Sequence, residues 1–182
     1  LAGLTHLEHL SLMGNAGITD LEALRTLDSL SELWLASNPI TDLSPLGDVA
    51  DTLTFFGDVN CGLKQSDLTI INGLTHLEGL CIFLEFNLTD INVLTDINPG
   101  SVFVLMMVPV TDVSVAANYL NVQSLVISMT WTAALPDLSG LTQLEFADFS
   151  DNDLRNCPGL AGGTRLRSLN LSRNELTDIT AL

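Results

Sequence analysis

Leucine recurs in this chain in a frame that returns about every 22 residues, and that period constrains the fold more tightly than anything else in the sequence. It is clearest in Leu27-x2-Leu30-x2-Leu33-x-Leu35-x2-Asn38-x-Ile40-Thr41-Asp42-Leu43-x2-Leu46. The frame also runs through Leu4, Leu7, Leu10, Leu12, Asn15 and Ile18-Thr19-Asp20-Leu21, and through Leu166, Leu169, Leu171, Asn174 and Leu176-Thr177-Asp178-Ile179. Between these ends it decays but persists, as in Leu74, Leu77, Leu80, Ile82 with Leu88-Thr89-Asp90-Ile91. Weaker units run through Leu53, Phe55 and Asp58, and through Leu125, Ile127 and Thr130. The polar mark of the Thr-Asp pair falls at Asp20, Asp42, Asp67, Asp90, Asp112, Asp137, Asn156 and Asp178, in steps of 22, 25, 23, 22, 25, 19 and 22 residues. Residues 1–182 therefore read as a single domain of about eight units of 22–25 residues.

Each unit reads physically as one coil of a solenoid. In Leu-x-Leu the period is two, so both leucines point inward from a short strand and their neighbours point outward. Strands of successive coils pair as a parallel sheet. The asparagine after the strand sits where the chain turns, and stacked copies can satisfy the backbone groups there. The Thr-Asp pair precedes Leu-x2-Leu, where a side-chain oxygen caps a short helical or 3-10 turn on the return leg. One coil cannot bury its leucines alone, so stability comes from stacking neighbours.

These residues resemble a leucine-rich repeat array of the roughly 22-residue kind found in bacterial internalins. Ile40-Thr41-Asp42-Leu43-Ser44-Pro45-Leu46, Leu74-Thr75-His76-Leu77 and Leu141-Thr142-Gln143-Leu144 match it best. The resemblance implies an α/β solenoid, a curved horseshoe with a parallel β-sheet on its concave face and short helical turns and loops on its convex face. Asp58, Glu85, Val108 and Thr130 depart from the asparagine position in the middle units, and the loops near 48–51, 98–100 and 131–134 exceed the pattern. The frame opens inside a unit and the family's helical cap and immunoglobulin-like domain are not visible, so a fragment lacking one or both caps is expected.

Binding in such an array belongs to the outward positions of the strands. Between the two inward residues the outward column reads Ser11, Trp34, Thr54, Cys81, Val104, Val126, Asp148 and Asn170. The next reads Met13, Ala36, Phe56, Phe83, Met106, Ser128, Ser150 and Ser172, and the place after it Gly14, Ser37, Gly57, Leu84, Met107, Met129, Asp151 and Arg173. The column before the strand centre includes His9, Glu32, Thr52 and Phe146. Trp34, Phe56, Phe83, Val104, Met106, Met107, Val126, Met129 and Phe146 are thus the expected partner-binding residues. An apolar band of this kind marks a binding surface, and aromatic residues and methionine are the types enriched in interface cores. A one-residue slip in register would turn these side chains into core.

Charge and composition narrow the classes. The formal net charge is −16, which repels nucleic acid, yet 47% of residues are hydrophobic, which excludes an acidic disordered tail. No apolar run reaches the length of a membrane span, so no membrane insertion is expected. All of the −16 belongs to residues 1–150, with 18 acids against 2 bases, while 151–182 hold 4 of each. His6 and His76 share one place in their units and read as solvated; His9 has no ligand partner at metal spacing. Cys61, Cys81 and Cys157 lack a Cys-x2-Cys pair; Cys157 reads as a core thiol and Cys81 as an outward free thiol. Residues 148–153 lack the glycine and distal glutamate of a calcium loop. No catalytic residue, metal or cofactor is therefore expected.

The sequence points to a non-catalytic recognition module that binds another protein on its concave face. Resemblance to internalins implies a bacterial secreted or surface-displayed protein, an adhesin in type. The alternatives are a cytoplasmic regulatory scaffold of the phosphatase-regulator type, or a structural spacer that forms a homodimer through the apolar face.

Overall fold

The computed structural model describes residues 3–156, 159–180 and 182. Where inward and outward residues alternate the chain is extended, forming β1 (His9–Ser11), β2 (Glu32–Ala36), β3 (Phe55–Val59), β4 (Gly79–Phe83), β5 (Val102–Met106), β6 (Ser124–Ser128), β7 (Phe146–Asp148) and β8 (Ser168–Asn170). All eight pair parallel, in chain order, in one open sheet. Each strand is followed by a return leg. Among the described residues four legs carry a short helix: 3-10 turns at Glu22–Thr26, Ser44–Val49 and Ser114–Asn118, and the α-helix α1 at Asp67–Asn72. The core lies between sheet and return legs, where Leu33, Leu35, Leu80, Ile82, Phe103, Leu105, Leu125 and Ile127 meet Leu24, Leu46, Leu68 and Leu94, all 0–1% exposed.

The Thr-Asp column performs the expected turn chemistry. The carboxylates of Asp42, Asp90, Asp112, Asp137 and Asp178 each accept the backbone N–H two residues on, at 2.8–2.9 Å. Those N–H groups open the return leg, so the acid fixes where it begins. Asparagine ladders the coils at both ends of the array. Asn152 Nδ2 donates to the carbonyl of Ile127 one coil back at 2.7 Å, and its Oδ1 accepts the Thr130 N–H at 2.9 Å. Asn174 repeats this on Phe149 O at 2.9 Å and the Leu154 N–H at 3.1 Å.

The third unit corrects the sequence reading. Spacing assigned Leu53 and Phe55 inward and Phe56 outward, but the strand begins three residues later. Leu33 pairs with Phe56, Trp34 with Gly57 and Leu35 with Asp58. Phe56 is fully buried in the core and is no part of a concave surface. The reason is the turn after Val49, whose carbonyl accepts the N–H groups of both Thr52 and Leu53. It absorbs the extra residues, so Leu53 takes the place of Leu30 and Phe55, not Phe56, points outward. The same shift moves Asp58 from the asparagine place to an inward leucine place and puts Cys61 opposite Asn38. Glu85 then caps that coil: its carboxylate accepts the N–H groups of Cys61, Gly62 and Leu63 at 2.6, 3.1 and 2.8 Å. Cys157 lies outside the described residues.

Candidate functional site

The outward face of β2 to β4 is built by large rings lying over glycines. The Trp34 indole covers Gly57 on β3, where any Cβ would overlap its six-membered ring; the Phe55 ring covers Gly79 on β4 in the same way. The two rings pack together, with centroids 5.1 Å apart and planes tilted by 35°. Glu32 fixes the indole, accepting its Nε1–H at 2.7 Å on one carboxylate oxygen while the other meets His9 Nδ1 at 2.8 Å.

Beyond these rings lies an apolar pocket of about 400 Å³, lined by Trp34, Val59, Phe83, Leu84, Met106 and Met107. A second, of about 190 Å³, is lined by Phe86, Met107, Pro109, Met129 and Trp131. Met107 is common to both, so the two form one band along the edge where the strands end. Of the residues expected from sequence, Trp34, Phe83, Met106, Met107 and Met129 come together here. Val126 is half-buried on the strand face, and Val104, although outward, is only 9% exposed under its neighbours. Phe146 stands exposed on β7, outside both pockets. Sequence reasoning missed Phe55 and Val59 through the register of unit three, and Phe86, Pro109 and Trp131 because they lie in turns, where no period marks them. Trp131 and Phe86 are 62% and 64% exposed.

The place that follows Ala36 in the second coil is left-handed in every coil. Ser37, Asn60, Leu84, Met107, Met129, Asp151 and Arg173 have φ of 52–58°, and Gly14 has 76°. In all but Arg173, which lies in the last coil, the N–H donates to a carbonyl of the next coil, for example Leu84 to Met106 and Met107 to Ser128. The conformation thus recurs whatever the side chain. For residues other than glycine or asparagine it costs about 1 kcal/mol each.

Other candidate chemistry is occupied or covered. Cys81 faces outward yet is buried, and burial pushes its thiol up to about 11. His6 and His76 are exposed, as their repeated place implied. Asp148 binds the N–H of Ser150 at 2.9 Å and Asn170 Nδ2 at 3.0 Å, and Asp151 pairs with Arg173 at 3.1 Å. Among the described residues no three His, Cys, Asp or Glu side chains converge on a metal position, and no helix is long and apolar enough to cross a membrane.

Family models for leucine-rich repeats match the chain at both ends: a two-copy leucine-rich repeat model over residues 5–48 and a single-repeat model over 165–182. The chain folds as a leucine-rich repeat solenoid. Its fold is shared with solved internalin structures from Listeria monocytogenes. Internalin C2 superposes with a TM-score of 0.75 at 25% identity, over 96% of this chain and 75% of that one. An internalin named inlF gives 0.66 at 23% identity, over 99% of this chain and 59% of its own. The functional domain of InlJ, described as including a cysteine ladder, gives 0.69 at 22%, over 97% of this chain and 37% of that one. This leucine-rich repeat chain therefore spans little more than half the length of one of these relatives and about a third of another. A search of the curated proteins finds no match.

Proposed function

We propose that this leucine-rich repeat chain is a non-catalytic recognition module that binds a partner protein through the apolar band of its second to sixth coils. The observation that carries the reading is the pair of adjoining pockets. They are lined by aromatic and methionine side chains with Val59, Leu84 and Pro109, none of them part of the core. Such surface is favourable to bury against a partner and unfavourable to leave in water. A hydrolytic role has no support: the covered, high-pKa Cys81 thiol is a poor nucleophile. The likeness to internalins supports a secreted or surface-displayed bacterial protein over a cytoplasmic scaffold.

The test is a Trp34→Ser/Phe83→Ser double variant. Proteins captured by the immobilised wild-type chain are expected to be lost while the circular dichroism spectrum is kept. Capture that survives in the folded variant would show that these side chains do not bind the partner, and a variant that unfolds would show that they serve the fold.

A further inference from the structure

Four bulky apolar residues beside the pockets sit where the backbone disfavours them: Leu84, Met107, Met129 and Trp131, with φ of 58°, 57°, 55° and 59°. At the place held by the first three, the other coils carry Gly14, Ser37, Asn60, Asp151 and Arg173. Gly14, Ser37, Asn60 and Asp151 make the same N–H bond to the next coil, so folding does not ask for an apolar side chain there. Only the fourth to sixth coils hold one, and those are the coils whose edge carries the pockets. The conformation is common to all the coils, but a bulky apolar side chain at it is retained only here and without a packing need, which points to function. The charges around the band share one sign. No lysine or arginine occurs from residue 65 to 154. Of the two earlier bases, Arg25 is held by Glu22 and Asp48, and Lys64 lies on the Thr41 carbonyl. Glu32 opens β2 and the exposed Glu78 stands just before β4, on two of the strands that form the first pocket; Asp58 on β3 faces the core and is buried.

We infer that the left-handed edge of the fourth to sixth coils is the docking site proper, and that it receives a protein segment carrying two large apolar side chains, one for each pocket, flanked by lysine or arginine. The inference rests on the recognition role proposed above. An acidic segment would meet uncompensated negative charge, whereas a basic one is steered and held.

A displayed library of random peptides, selected on the full immobilised chain, tests it. Recovered peptides are expected to pair two large apolar residues with a basic excess. Met107→Asn is expected to weaken them at least about tenfold, as loss of a central anchor does. Asparagine accepts the left-handed conformation, so the melting temperature should stay the same or rise. Glu32→Gln with Glu78→Gln should weaken binding severalfold and flatten its salt dependence. Peptides that need Met107 but carry no basic excess, or that ignore the glutamine changes, overturn the charge assignment and leave the recognition role standing. If no Met107-dependent peptide emerges, or Met107→Asn unfolds the protein, the edge site is overturned. Loss of capture in the Trp34→Ser/Phe83→Ser variant would then still uphold recognition by the strand face.

Discussion

Asp58 stands on β3 at the inward place that Leu35, Ile82, Leu105 and Ile127 fill in neighbouring coils. It is fully buried and neither carboxyl oxygen has a hydrogen-bond partner. Burial pushes its carboxyl up to about 9, reinforced by the contact and charge of Glu85 and more weakly by the charge of Asp67, while contact with Cys61 pulls the other way. The side chain is therefore a neutral acid at pH 7, which is the cheaper form to bury. Its folded pKa exceeds its unfolded one, so its contribution is full below about pH 4 and is lost progressively as pH rises toward 9. The slope is at most about 1.4 kcal/mol per pH unit. Exposed acids act oppositely: the Ser and Thr groups two residues on hold Asp42, Asp112, Asp137 and Asp178 below the usual range, and their contribution is lost only as pH falls below it. Between pH 5 and 9 the urea midpoint of the wild type is thus expected to fall, and that of Asp58→Asn to stay nearly level. Parallel curves would show that Asp58 does not carry the dependence.

At the scale of the element, the coils of Asn38, Glu85, Asn152 and Asn174 are each closed by one side chain reaching a neighbour. Asn152 does most: its Nδ2 donates to three carbonyls, Ile127, Phe149 and Ser150, and its Oδ1 accepts both the N–H and the hydroxyl of Thr130. Asn15, exposed at the first coil, makes a single bond to Leu12 O at 2.8 Å. Asn152→Ala should therefore cost about 2–4 kcal/mol, because it orphans buried groups, and Asn15→Ala less than about 1 kcal/mol. Equal losses in urea unfolding would refute a ladder role for Asn152. These ladder and turn residues were legible because each is a local pattern repeated many times. Unit three was not, because Leu53-x-Phe55 and Phe56-x-Asp58 both have period two, and hydrophobicity favours the first. The decision lies in the neighbouring strand, where Ser31 O accepts the N–H groups of Thr54 and Phe55. The usable signal was one step longer, since Leu53-x2-Phe56 copies Leu30-x2-Leu33. For the site this meant that Trp34, Phe83, Met106, Met107 and Met129 were readable from strand register. Phe86, Pro109 and Trp131 were not, because a turn residue's direction is set by backbone conformation and leaves no period.

Across the whole molecule, stability is a sum over neighbouring coils, so a charge imbalance acts where it is located. Residues 1–150 hold 18 acids and 2 bases, and one of those bases, Arg25, is already bound between Glu22 and Asp48. Stacking brings like charges of successive coils within a Debye length, about 10 Å at 0.1 M salt, so these coils repel one another at low ionic strength. The last coils differ. Arg155 meets Glu175 at 3.1 Å, Arg167 meets Glu145 at 3.6 Å and Arg173 meets Asp151 at 3.1 Å, pairs that link neighbouring coils and that salt weakens. Raising salt is therefore expected to slow amide exchange in β2 to β6 and to leave β7 and β8 unchanged or faster. Exchange measured by fragment at low and high sodium chloride checks this directly. A uniform response along the solenoid would mean that the acids are spaced too widely to interact. The net charge would then affect association with a basic partner but not the cohesion of the coils.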